Sequence, residues 1–133
     1  MTISSDKPTL SVIIPVFNGG ENLRRCLVSL ERSLSAPDEI IVVADGEGDG
    51  SCRIAEELKV HLLRIEGPRG PARARNRGAE IAHGDILFFV DADVSVYPDT
   101  TGKIKLTFLE HPDLAAVFGS YDVDPSETNF CRV

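Results

Sequence analysis

Asp85-Ile86-Leu87-Phe88-Phe89-Val90-Asp91-Ala92-Asp93 is the stretch on which the reading of this chain turns. A run of five apolar residues ends in two carboxylates spaced one residue apart. The run reads as a strand buried on both faces, the kind found in parallel sheets covered by helices. Its carboxyl end then delivers Asp91 and Asp93 to the rim of the sheet, the edge where open α/β folds bind ligands. An Asp-X-Asp at such a rim, open to phosphate, suits a hard divalent cation held against a nucleotide diphosphate. Taken alone, the pair also reads as two solvated rim residues that cap the next helix, so the rest of the chain has to decide.

Working outward, strand and helix signals alternate. Leu10 to Val16 is an apolar, β-branched first strand, and Pro15 near its end suggests that pairing stops there. Asn18-Gly19-Gly20 is a loop, and Glu21 to Leu34 carries Leu23, Cys26 or Leu27, Leu30 and Leu34 at helical spacing. Glu39 to Ala44 is a second apolar strand, followed by the glycine- and carboxylate-rich loop Asp45 to Gly50 and a short helix from Ser51 to Leu58. Val60 to Ile65 is a third strand, Gly67 to Pro71 a turn, and Ala72 to Ala82 a helix with Gly84 placed to cap it. After the Asp85–Asp91 strand, Asp99 to Glu110 reads as a helix and Leu114 to Tyr121 as strand five. This alternation predicts an α/β fold, a three-layer αβα sandwich around a mainly parallel sheet, with all strand carboxyl ends on one rim. Residues 1–8 read as a flexible terminus, 9–121 as one unit, and 122–133 as the start of a further region interrupted mid-fold.

Composition narrows the function classes. The 133 residues suffice for about one domain, and 42% are apolar, with no Trp. A formal charge of -7 argues against a general nucleic-acid binder, which needs a basic face. It leaves room for an anionic small ligand at one local basic patch. The three cysteines, Cys26, Cys52 and Cys131, have no metal-type spacing and read as reduced structural thiols. The polar start lacks a hydrophobic signal segment, and no apolar run approaches the ~20 residues that span a bilayer. The expected location is the cytoplasm, with membrane association of a longer protein left open.

The residues that follow each strand form a constellation. Strand one offers Phe17 and Asn18, strand two Asp45, and strand four Asp91 and Asp93. Between Gly67 and Ala79 lie four arginines, Arg69, Arg73, Arg75 and Arg77, and no acid. Arg73 and Arg77 share a helix face, while Arg75 points away from them. An arginine fork suits phosphate oxygens. Each group has a bland explanation: Asp45 as a turn residue, Phe17 as core, the arginines as a solvated helix face. Their joint placement after consecutive strands favours transfer from a nucleoside diphosphate. In that chemistry a cation held by Asp93 neutralises the leaving diphosphate, Asp91 bonds ribose hydroxyls or shares the cation, Asp45 accepts a base N–H, and Phe17 packs on the base. His61, His83 and His111 are scattered and form no nucleophilic triad.

Four segments carry a family resemblance: Leu10-Ser-Val-Ile-Ile-Pro-Val-Phe-Asn18, Glu39-Ile-Ile-Val-Val-Ala-Asp-Gly46, Ala74-Arg-Asn-Arg-Gly78 and Phe89-Val-Asp-Ala-Asp93. In order and spacing, over roughly residues 9 to 121, they resemble the family 2 glycosyltransferases with the Rossmann-like GT-A fold. The resemblance implies an inverting transferase that uses a nucleoside-diphosphate sugar with Mn²⁺ or Mg²⁺ and delivers the sugar to a saccharide, lipid or protein acceptor. It implies that Pro15, Phe17 and Asp45 face the nucleobase, that Asp91 lies near the ribose, and that Asp93 binds metal, with Asp91 able to share it. Arg75 and Asn76 match the family's Ala-Arg-Asn segment, and Arg75 joins the nucleotide-binding set. Ala44 stands where the family often has the first of two Asp, and Glu47-Gly48-Asp49 replaces the usual Ser-Thr-Asp. The acceptor half and its general base follow the Asp-X-Asp in this family. Neither Asp122 nor Asp124 fits that base, so the resemblance implies a general base beyond Val133 and a chain that corresponds to the donor-binding portion of the enzyme.

Other classes fit less of the pattern. A non-catalytic nucleotide-binding or interaction module on the same fold accommodates the missing acceptor-side residues. A sugar nucleotidyltransferase needs a glycine- and lysine-rich phosphate loop after strand one, and Asn18-Gly19-Gly20-Glu21 has no basic residue. A phosphoacceptor receiver domain needs carboxylates directly after strand one, where Phe17 and Asn18 stand. Apolar surface left bare where an acceptor half packs predicts self-association.

Overall fold

A computed structural model describes residues 7–46 and 50–120, together with the backbone of residues 131–132. Most of the 1–8 segment, residues 47–49, Tyr121, Asp122 and Asp124 lie outside the described residues.

The sheet grows from its centre. Strand β1 (Leu10–Val16) is buried along its whole length. It pairs in parallel with β2 (Glu39–Asp45) from Ser11↔Glu39 to Val16↔Ala44, and with β4 (Ile86–Phe89) from Leu10↔Ile86 to Ile13↔Phe89. β3 (His61–Ile65) pairs in parallel with β2, and the order is β3-β2-β1-β4. Side chains alternate between two apolar layers, as the period of two requires. Val12, Ile14, Val42 and Ile86 join a cluster with helix α1 (Gly20–Glu31) and helix α2 (Ser51–Glu57). Ile104 and Phe108 of helix α4 (Thr100–Glu110) pack against the same cluster. Ile13, Ile41, Val43 and Ile65 face the opposite way, toward Ala74 of helix α3 (Pro71–Ile81). The result is the expected α/β sandwich, a parallel sheet with helices on both faces. A two-residue β5 (Val94–Ser95) pairs in parallel with β6 (Cys131–Arg132), a contact with no sequence signal.

Carboxylates pin the amino-terminal ends of the strands. The Leu10 N–H donates to Asp38 Oδ2 at 2.7 Å, and the Thr9 N–H donates to Asp85 Oδ2 at 2.9 Å. The residues just before β2 and β4 thus grip the start of β1 from both sides. The backbone N–H of Leu10 holds Asp38 below the usual carboxylate range, with Lys105 adding to the effect against the cost of burial. The N–H and hydroxyl of Thr9 do the same for Asp85.

Five sequence expectations change. Pro15 does not end pairing with β2, where it sits opposite Val43. It faces the β4 side, where the ladder has already ended with Val90 N–H donating to Ile13 O at 3.0 Å, so its missing donor leaves no gap. Helix α1 stops at Glu31, and Leu34 is 84% exposed, because its N–H turns to Pro98 O at 2.8 Å. Gly84 does not cap α3; it crosses β1 so closely that a Cβ would lie 2.6 Å from the Ser11 N, and its own N–H donates to Ser11 Oγ at 2.8 Å. β4 is not buried on both faces: Leu87 is 39% and Phe89 44% exposed, because α3 covers β1 and β2 and leaves that face of β4 bare. Leu114 to Ser120 forms no strand. It stands off from the β4 side of the sheet across a cavity of about 700 Å³, and without a ladder partner among the described residues its β-branched and aromatic side chains are exposed. None of the described helices is long and apolar enough to cross a membrane.

Candidate nucleotide and metal site

The strand order reverses between β1 and β4, and open α/β sheets bind ligands outside the carboxyl ends of the strands at such a point. A cleft of about 470 Å³ opens there. β1 contributes Pro15, the loop that follows it Phe17 and Asn18, β2 contributes Asp45, α3 contributes Arg75, and the turn after β4 contributes Asp91 and Asp93. All six residues singled out for nucleotide or metal in the sequence line this one cleft. Phe17 is 53% exposed and lines the cleft, so it is no core residue.

Asp45 is the buried acid of the cleft, 3% exposed at the last residue of β2. The Arg69 N–H donates to both of its oxygens, at 3.1 and 3.2 Å, and the Gly70 N–H donates to Oδ2 at 2.9 Å. Gly67 passes against the same carboxylate, where a Cβ would collide with Oδ1. Asp45 therefore orders the turn that launches α3 and so sets where that helix begins. Pro71 at the first helical position and Gly70 at φ 101 make the start compatible with this geometry. Four turn positions onward, Arg75 reaches across the cleft, and its Nη2 donates to Asp91 Oδ1 at 2.8 Å.

Asp91 and Asp93 sit on a turn closed by the Val94 N–H, which donates to Asp91 O at 3.0 Å. Both are exposed, and Asp93 has no ion pair among the described residues. Beneath them lies Cys26 of α1, fully buried, with Sγ 3.8 Å from Asp91 O. Burial, helped by the charges of Asp93 and Asp91, pushes the Cys26 thiol up to about 12. It remains a neutral floor to the turn, not a nucleophile. Two exposed carboxylates are a hard-oxygen donor set that fits Mg²⁺ or Mn²⁺, which take one or two protein carboxylates and complete their shell with phosphate and water. No group of three or more His, Cys, Asp or Glu among the described residues forms a self-sufficient metal cage.

The family model described as Glycosyl transferase family 2 matches residues 11–133. The chain belongs to this family. Among the family 2 relatives it is 44% identical over 105 residues to the uncharacterized glycosyltransferase YibD of Escherichia coli (strain K12), covering 76% of this chain and 30% of that protein. Solved structures share the fold. The S. aureus TarS 1–349 structure in complex with UDP-GlcNAc is 27% identical, with a TM-score of 0.73, over 78% of this chain and 33% of the other. The mannosyltransferase PcManGT from Pyrobaculum calidifontis, in complex with GDP-Man and Mn²⁺, is 25% identical with a TM-score of 0.68, over 71% and 30%. The chain thus spans about a third of the length of these proteins.

Within this family 2 chain the arginine segment divides its work. Only Arg75 of the four presents its guanidinium to an acid of the cleft; Arg73 Nη1 donates to Glu66 O at 2.6 Å, Arg77 pairs with Glu80 at 3.4 Å, and Arg69 contributes its backbone. Asn76, next to Arg75, is exposed and does not line the cleft. Asn22 does line it, from the first turn of α1, and was missed in the sequence. Its signal was positional: the first turn after β1 in a parallel sheet overlooks the same rim.

Proposed function

We propose that this chain forms the donor-binding portion of a glycosyltransferase, holding a nucleoside-diphosphate sugar with Mn²⁺ or Mg²⁺ in the β1/β4 cleft. The observation that carries the reading is the convergence of Phe17, Asp45, Arg75, Asp91 and Asp93 on one cleft at the switch point of the sheet. In this reading Pro15 and Phe17 pack on the nucleobase. Asp45, whose carboxylate has further lone-pair capacity beyond the turn it holds, accepts a base N–H. Arg75 meets the diphosphate, Asp91 the ribose or the cation, and Asp93 the cation. A divalent cation at this pair supplies charge neutralisation to the departing diphosphate. The similar structures of TarS with UDP-GlcNAc and of PcManGT with GDP-Man support a nucleotide-sugar donor, and the Mn²⁺ of the latter supports a divalent metal.

The transfer is read as an inverting single displacement onto a saccharide, lipid or protein acceptor. Residues 9–121 are assigned to donor binding, 122–133 to the start of the acceptor side, and the general base to sequence outside these 133 residues. The proposed setting is the cytoplasm, the location suggested by three cysteines without metal-type spacing.

Calorimetry with UDP and with GDP, each with and without Mn²⁺, tests the proposal. We expect one of them to bind with an affinity that Mn²⁺ raises, and Asp93→Ala to abolish the metal-dependent part while circular dichroism shows an intact fold. Binding indifferent to Mn²⁺ in the folded protein would count decisively against the metal–nucleotide site.

A further inference from the structure

Asp91 is claimed from two directions. Its Oδ1 accepts from Arg75 at 2.8 Å, and with Asp93 it forms the carboxylate pair of the cleft. A divalent cation that takes both carboxylates has to share Asp91 with the guanidinium or displace it, because two cations on one carboxylate repel. Arg75 is free to leave. Asp91 is its sole ion-pair partner among the described residues, and its side chain is 36% exposed. It also sits on α3, whose amino-terminal residues Gly70, Pro71 and Ala74 line the same cleft, and its planar fork suits phosphate oxygens.

We propose that Arg75 couples cation binding to nucleotide binding: its guanidinium competes with a divalent cation for Asp91 and is drawn off Asp91 by the diphosphate of an incoming nucleotide. The inference rests on the nucleotide-binding function proposed above and adds a direction to it. Cation and nucleotide each bind poorly alone and assist one another, and the assistance is reciprocal by linkage. Asp93, which has no competing ion pair among the described residues, gives the cation its first foothold. Arg75 is a positioning residue toward the cation and a ligand only toward the phosphate.

The signature is a pair of opposite effects. In Arg75→Gln, Mn²⁺ alone should bind tighter by roughly 2- to 5-fold, the fold-change that corresponds to a half-exposed ion pair at 1.36 kcal/mol per tenfold. UDP or GDP in saturating Mn²⁺ should bind weaker, and the factor by which Mn²⁺ improves nucleotide affinity should shrink. Arg75→Lys keeps the charge without the fork, so Mn²⁺ alone should stay within about 2-fold of the parent while the nucleotide weakens. Arg77→Gln, on the same helix but paired with Glu80 outside the cleft, should move neither. Titration calorimetry on the 133-residue chain reads all three variants, with circular dichroism to confirm the fold. If the parent binds nucleotide with Mn²⁺ and Arg75→Gln shifts both ligands in one direction, or leaves Mn²⁺ alone unchanged, the coupling is overturned and the nucleotide site stands. If the folded parent binds neither UDP nor GDP with Mn²⁺, the proposed function fails and the coupling falls with it.

Discussion

Asp45 shows how one side chain serves both fold and site. Its carboxylate is buried at the end of β2 and accepts the N–H groups of Arg69 and Gly70. A buried acceptor is costly to unsatisfy, and here the partners are backbone donors with no alternative in the described turn. Asp45→Asn keeps the shape but turns an NH₂ toward those N–H groups. We expect it to lower the unfolding free energy by about 1–3 kcal/mol, read by urea denaturation. The acid after strand two was legible in the sequence as a site residue, yet its grip on residues 69 and 70 was not, because that bond joins positions 24 and 25 residues apart. Arg75 behaves similarly: helical spacing set it apart from Arg73 and Arg77, and only the turn after β4 could show that it meets Asp91.

Helix α3 shows why small residues matter to an element as a whole. It buries Ala74 and Gly78 and lies close over β1 and β2. A Cβ at Gly78 would stand 2.5 Å from Ile13 Cγ2 and 3.0 Å from Val43 Cγ2, both in the sheet core. Gly→Ala inside a helix gains about 1 kcal/mol of propensity, whereas overpacking a core costs roughly 1–3 kcal/mol. Gly78→Ala should therefore destabilise, with a lower thermal midpoint in calorimetry. A gain in midpoint would mean that α3 can lift off the sheet. Periodicity placed α1, α2, α3 and α4 to within a few residues because an amphipathic stripe is a local property. It failed at Leu34, which continues the apolar spacing of α1 but follows a chain that has already turned at Arg32 and Ser33.

At the scale of the whole molecule, one side of the sheet is closed and the other partly bare. Leu87 and Phe89 of β4, Leu114, Val117 and Phe118 all present apolar surface. Exposed apolar area of this kind drives association. We expect light scattering to show concentration-dependent self-association of the chain, reduced by Phe118→Ser, the residue that is 93% exposed. A monodisperse monomer at high concentration would refute this. The sequence by itself determined the order and type of the elements and the carboxylates at their ends. Alternation of apolar runs, helical stripes and turn residues is encoded within a few neighbouring positions, so the β1, β2 and β4 rims could be read with their Phe17, Asp45, Asp91 and Asp93. Only the tertiary structure decided which strand is bare, that Leu114–Ser120 has no ladder partner among the described residues, and that Arg75 and Asp91 face each other. Those outcomes depend on which backbones and charges meet across long stretches of chain, and pairing of that kind leaves no local trace. The Asp-X-Asp of residues 91–93 belongs to both: its position was written in the strand that ends there, and its paired cation was supplied by a helix that folds back over the sheet.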